Sequence, residues 1–95
     1  MGKIRRLVLD TLKPHDPTSV EWAARLSDLE GISAVNISIY EMDRKVENAK
    51  ITIEGDYVSY QRVAAIIEEL GGAIHSIDEV VAGKLIIDDA ATLQD

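Results

Sequence analysis

Imidazole and carboxylate groups brought close together are the means of metal ligation and of acid–base chemistry. This sequence supplies them at Asp10, His15, Asp16, Glu41, His75, Asp78 and Glu79. A divalent cation is the cofactor class such groups would take, since carboxylates suit hard cations and imidazoles suit borderline ones. The same side chains would serve a small hydrolytic or acid–base enzyme using His15 or His75 beside a carboxylate. The binding or regulatory module, taking a metal cation or small ligand, is the preferred reading, and no residue is assigned a catalytic role.

Each candidate has a plainer structural alternative. Asp10 interrupts the apolar stretch of Ile4, Leu7, Val8, Leu9 and Leu12. An isolated buried charge is costly, so Asp10 either ligates a cation or pairs with Arg6, Lys50 or Thr52 across a sheet. His15 and Asp16 stand between Pro14 and Pro17, whose rings restrain the backbone. They either present a ligand pair, or Asp16 caps the next helix while His15 is solvated. On an unbroken strand His75, Ile77 and Glu79 share one face, and Ser76, Asp78 and Val80 the other, which aligns His75 with Glu79. A triad of Ser76, His15 and Asp78 has no nucleophile elbow or oxyanion device to support it. Glu41, Asp43 and Glu47 crowd a turn that lacks the glycine of a calcium loop, so a solvated, charged tip is expected. Gly71-Gly72 follows a helix, whereas phosphate loops precede one.

The elements that must position these groups are legible in the pattern. The stretch from Lys3 to Pro17 reads as a strand apolar on both parities, hence central in its sheet, closed by the proline-framed turn. Thr18 or Ser19 caps a helix, with Glu21 at capping-box spacing from Thr18. Val20, Ala23, Leu26 and Leu29 form its apolar stripe, Trp22 lies at the stripe's edge, and Gly31 ends it. Alternation over Ala34 to Asp43 and over Val46 to Glu54, around the charged turn 41–45, predicts a hairpin with Val35, Ile37, Ile39, Ala49, Ile51 and Ile53 inward. Asp56 or Ser59 caps a second helix built on Val63, Ile66, Ile67 and Leu70 and stopped by Gly71-Gly72. Ala73 to Ala82 is the last strand. The order β-α-β-β-α-β predicts an α+β, ferredoxin-like sandwich: a four-stranded antiparallel sheet with two helices on one face. A single domain over 1–84 is followed by an acidic tail, 85–95, expected to fray or to pack on the sheet or on a neighbouring subunit.

Such a fold leaves one sheet face without helices, although the first and last strands carry apolar residues on both parities. A second copy of the chain is the expected cover, making the protein a homo-oligomer; Leu85 to Ile87 folding back is the alternative. Composition narrows the partners. Seventeen acidic against ten basic side chains give a formal charge of −7, which repels phosphate backbones and argues against nucleic acid. No apolar run approaches membrane-spanning length, and Met1-Gly2-Lys3 runs directly into a strand, so neither a membrane anchor nor a signal peptide is expected. The lack of cysteine excludes disulfides, thiolate zinc sites and thiol nucleophiles and fits a cytoplasmic protein.

Four stretches carry a family resemblance. Arg5 to Pro17 (Arg-Arg-Leu-Val-Leu-Asp-x-Leu-Lys-Pro-His-x-Pro), Val35-Asn-Ile, Ile51-Thr-Ile-Glu-Gly55 and Gly71 to Lys84 (Gly-Gly-x-Ile-His-Ser-Ile-Asp-Glu-Val-Val-Ala-Gly-Lys) resemble the small archaeal proteins of domain of unknown function 211. The resemblance covers about residues 2–84 and leaves the tail beyond it. It implies a ferredoxin-like fold, often assembled as homo-oligomeric rings, and brings no established activity.

Overall fold

A computed structural model describes residues 2–90. Its elements run β1 (Ile4–Pro14), α1 (Ser19–Ser27), β2 (Ile32–Met42), β3 (Val46–Gly55), α2 (Tyr60–Glu69) and β4 (Ala73–Ala82). The four strands form one antiparallel sheet in the order β2-β3-β1-β4, so β1 is an inner strand as its two-sided apolarity requires. This is the ferredoxin-like α+β fold. The acidic tail was expected to fray; its residues 91–95 lie outside the described residues.

The core lies between one sheet face and the two helices. Leu7 and Leu9 of β1 and Ala49, Ile51 and Ile53 of β3 meet Trp22 and Leu26 of α1, Val63 and Ile67 of α2, and Leu70 at the C-cap of α2. Val35, Ile37 and Ile39 pack against this cluster, as the hairpin alternation predicts. In α1 the buried stripe is not the expected one. Trp22 and Leu26 are fully buried, whereas Val20 is 78% exposed. Trp22 and Leu26, four positions apart, share the face turned to the core, whereas Val20, two positions before Trp22, falls on the opposite side.

Local signals set the helix ends. Thr18 Oγ1 accepts from the Glu21 N–H and Ser59 Oγ from the Arg62 N–H. At the end of α2 the Gly71 N–H donates to the Glu68 carbonyl and the Gly72 N–H to the Ile67 carbonyl, both at 2.9 Å. This double bond pattern needs a left-handed residue, and Gly71 has φ 90°.

The opposite sheet face has no helix. It carries Arg6, Val8, Asp10 and Leu12 of β1, which stand in register with Glu54, Thr52, Lys50 and Asn48 of β3. Part of this face is nevertheless covered. Asp88 returns to Arg6 at 2.9 Å, and Val8 and Val81 beneath that end are buried. Farther along, Leu12 and Tyr40 stay open, and Leu85 and Ile87 present their side chains to water.

Candidate functional site

Bulges decide where the chemistry-bearing residues stand. Along β4 the partners of β1 step from Ile74 (opposite Thr11) to Ser76 (opposite Asp10), then from Ile77 (opposite Leu9) to Glu79 (opposite Val8). His75 and Asp78 are therefore the extra residues of two irregularities on an edge strand, the setting in which bulges redirect side chains. A third falls on β2, where Ile39 pairs with Ala49 and Glu41 with Asn48, leaving Tyr40 as the extra residue. The alignment of His75 with Glu79 does not survive this. Ile77 and Glu79 face consecutive residues of β1 and so lie on opposite sheet faces.

On the helix-free face a polar group forms around Asp10. The Tyr40 hydroxyl reaches over β3 from β2 and donates to Asp10 Oδ1. Ser76, opposite Asp10 on β4, donates from Oγ to Asp78 Oδ1 at 2.7 Å. The hydrogen bond to Asp10, followed by desolvation and the charges of Asp10, Glu41 and Asp78, pushes the Tyr40 phenol up to about 12. Asp10 has Lys50 as its backbone neighbour on β3, but its side-chain partner is Tyr40 rather than Arg6, Lys50 or Thr52. Glu79 joins Glu54 and Asp88 around the single guanidinium of Arg6, at 2.8, 2.6 and 2.9 Å.

A second group stands on the core side of the sheet, at the proline-framed turn. Lys13 is fully buried, with Nζ 3.1 Å from Glu47 Oε1, donating to the Pro14 carbonyl at 2.8 Å and lying 5.6 Å from the Trp22 ring centroid. His15 Nδ1 donates to Glu47 Oε2 at 2.9 Å and Nε2 to the Asp43 carbonyl at 2.8 Å. Both partners are acceptors, so the doubly protonated ring fits best. The Glu47 hydrogen bond raises the His15 pKa despite desolvation, and His15 and Lys13 together lower that of Glu47. The hairpin tip is thus not wholly solvated: Glu47 turns inward, while Asp43 accepts from the Lys45 and Val46 N–H groups, which lower its pKa. His15 is held by these two bonds while still exposed, and Thr18, not Asp16, caps α1. Asp16 is exposed, and its bond to Pro17 is cis.

The candidates from the sequence therefore fall into separate places. Asp10 and Asp78 share the open face with Tyr40, Glu79 pairs with Arg6, His15 pairs with Glu47, and Glu41 accepts from Asn48 Nδ2 at 2.8 Å. His75 is exposed at its bulge. Among the described residues no three His, Asp or Glu stand close enough within one chain to hold a metal ion. Nor is any described helix long and apolar enough to cross a membrane. Sequence reasoning missed Tyr40 and Lys13. Lys13 had a readable signal, because Lys13 and Glu47 are opposite charges at core-facing parity on strands that pair.

Comparison with known proteins agrees with the motifs quoted above. Residues 5–95 match the family DUF211, described as Uncharacterized ArCR, so the tail lies inside the family pattern rather than beyond it. The uncharacterised protein MJ0319 of Methanocaldococcus jannaschii is 54% identical over 95 residues, spanning 100% of this chain and 98% of its own length. With its motifs, its fold and nearly all of its length in agreement, the chain belongs to the uncharacterised family DUF211.

Proposed function

We propose that this protein is a homo-oligomeric binding module in which the helix-free sheet face, around Asp10 and Tyr40, meets a second copy of the chain. One observation carries the reading. Large apolar side chains stay in water on this face and in the segment that follows β4: Leu12, Tyr40, Leu85 and Ile87 are each more than 40% exposed. Among the described residues the fold-back of Asp88 covers only the Arg6 end, and the Leu12–Tyr40 end is open to a partner.

The charge of that face favours a cation at the contact. Two copies would bring Asp10, Glu41 and Asp78 near their counterparts, and desolvated carboxylates need neutralisation. A divalent ion held by Asp10 and Asp78 from adjoining chains supplies it, with oxygen ligands that suit calcium or magnesium. Ligands drawn from two copies also accommodate the absence of a three-residue cluster among the described residues of one. For His15 the acid–base alternative is less well supported, because both ring nitrogens are engaged.

Titrating calcium and magnesium into chelator-treated protein by calorimetry tests the cation reading. Saturable heat that Asp10→Asn abolishes is the expected result. The absence of metal-dependent heat refutes the cation, and a monomeric mass refutes the assembly.

A further inference from the structure

A cavity lies away from both side-chain groups, at the Ile4 end of β1. It measures about 630 Å³, within the range of about 300–1,000 Å³ that small-molecule sites occupy. Its walls bring together Lys3 and Arg5 from the start of the chain, Asp56 and Tyr57 from the β3–α2 connection, and Gly83 and Lys84 after β4. Three cations thus face one carboxylate in a chain whose formal charge is −7. The local sign is the reverse of the molecular one.

The cleft is framed by backbone. Arg5 Nε donates to the Gly55 carbonyl at 2.9 Å, and its Nη1 donates to the Lys84 carbonyl at 2.6 Å and, more weakly, to the Gly83 carbonyl at 3.4 Å. These bonds tie the ends of β3 and β4 to β1 and, among the described residues, engage no Nη2 donor. The Gly83 N–H donates to the Lys3 carbonyl at 2.8 Å, closing the floor. Gly83 has φ 121°, and a Cβ there would meet nothing within 4 Å, so that wall stays open. Lys3 Nζ lies 6.0 Å from the Tyr57 ring centroid, while the Tyr57 hydroxyl is held by Glu30. Lys3 and Lys84 are exposed and, among the described residues, neither forms an ion pair.

We propose that this cavity binds a small organic anion carrying at least two negative charges. Lys3 and Lys84 act as point charges, Arg5 Nη2 as a directed donor, and the Tyr57 ring as the apolar wall. Phosphate esters and polycarboxylates share this chemistry. The site is independent of the self-assembly reading, since it lies at the opposite end of β1 from Leu12.

The test is a titration of the isotopically labelled protein with pyrophosphate and, separately, with citrate at low salt, following backbone amide shifts. Saturable shifts at Lys3, Tyr57, Gly83 and Lys84 are expected. They should weaken by about tenfold or more in the double variant Lys3→Gln/Lys84→Gln, whose melting temperature should match the parent. Lys45→Gln, which removes a charge at the hairpin tip, should leave the affinity within about twofold. Tighter binding of pyrophosphate assigns phosphate esters, and tighter binding of citrate assigns polycarboxylates. No localised saturation by about 10 mM of either anion, above the range of a weak millimolar site, overturns the proposal. So does an equal loss of affinity in Lys45→Gln.

Discussion

Glu47→Gln removes the counter-charge from a buried ammonium, and the cost follows from the geometry. The Lys13 side chain has no exposure to water, and its Nζ lies 3.1 Å from Glu47 Oε1. Removing one member of a buried pair costs roughly 3–5 kcal/mol. The low end, about 3 kcal/mol, applies here, because 11% of the Glu47 side chain reaches water and Lys13 retains the Pro14 carbonyl and the Trp22 ring. A domain of this size loses about 4–8 °C per kcal/mol, so the melting temperature should fall by roughly 12–24 °C in circular dichroism melts. Lys13→Met combined with Glu47→Gln should regain most of that loss, since no buried charge is left unpaired. The pH dependence has two arms of opposite sign. The lowered Glu47 carboxyl stabilises above its ordinary 4.5 and loses that contribution as pH falls through its folded value. The raised His15 imidazole stabilises below its ordinary 6.5 and loses that contribution as pH rises through its folded value. The full contribution is therefore present between 4.5 and 6.5, and Glu47→Gln should flatten the profile on both sides. A loss below about 1 kcal/mol, the range of an exposed pair, refutes the burial argument.

Asp10→Asn should bring the Tyr40 phenol from about 12 back toward its ordinary 10 in an ultraviolet absorbance titration, because the hydrogen-bonded carboxylate is the main cause of its elevation. An unchanged value contradicts the Tyr40–Asp10 contact. Gly72→Ala should destabilise by about 1–3 kcal/mol in urea unfolding, because the added methyl overlaps the buried Trp22 ring and sits 3.0 Å from the Leu12 carbonyl oxygen. A neutral effect would mean that the indole is not fixed there.

Why some of this was legible in the sequence and some was not follows from what periodicity encodes. The hairpin follows from strict alternation and turn residues, and β4 spans Ala73–Ala82 as expected. Bulges break that alternation without any glycine or proline to mark them at Tyr40, His75 or Asp78, so the alignment of His75 with Glu79 expected of an unbroken strand does not hold. The Tyr40–Asp10 contact spans an intervening strand, and no local spacing reports it. Trp22 and Val20 show the limit of a helical stripe: two positions apart they face nearly opposite sides, and the buried face is the one that Trp22 shares with Leu26, four positions on. His15 and Glu47 are 32 positions apart. Their pairing becomes visible only once the register sets Pro14 opposite Val46.

The central claim is that exposed apolar residues around Tyr40 and Leu12 meet a second copy of the chain. Light scattering coupled to size exclusion at micromolar protein measures this most directly. The account predicts a mass of two or more times 10.4 kDa, and a single species at 10.4 kDa contradicts it.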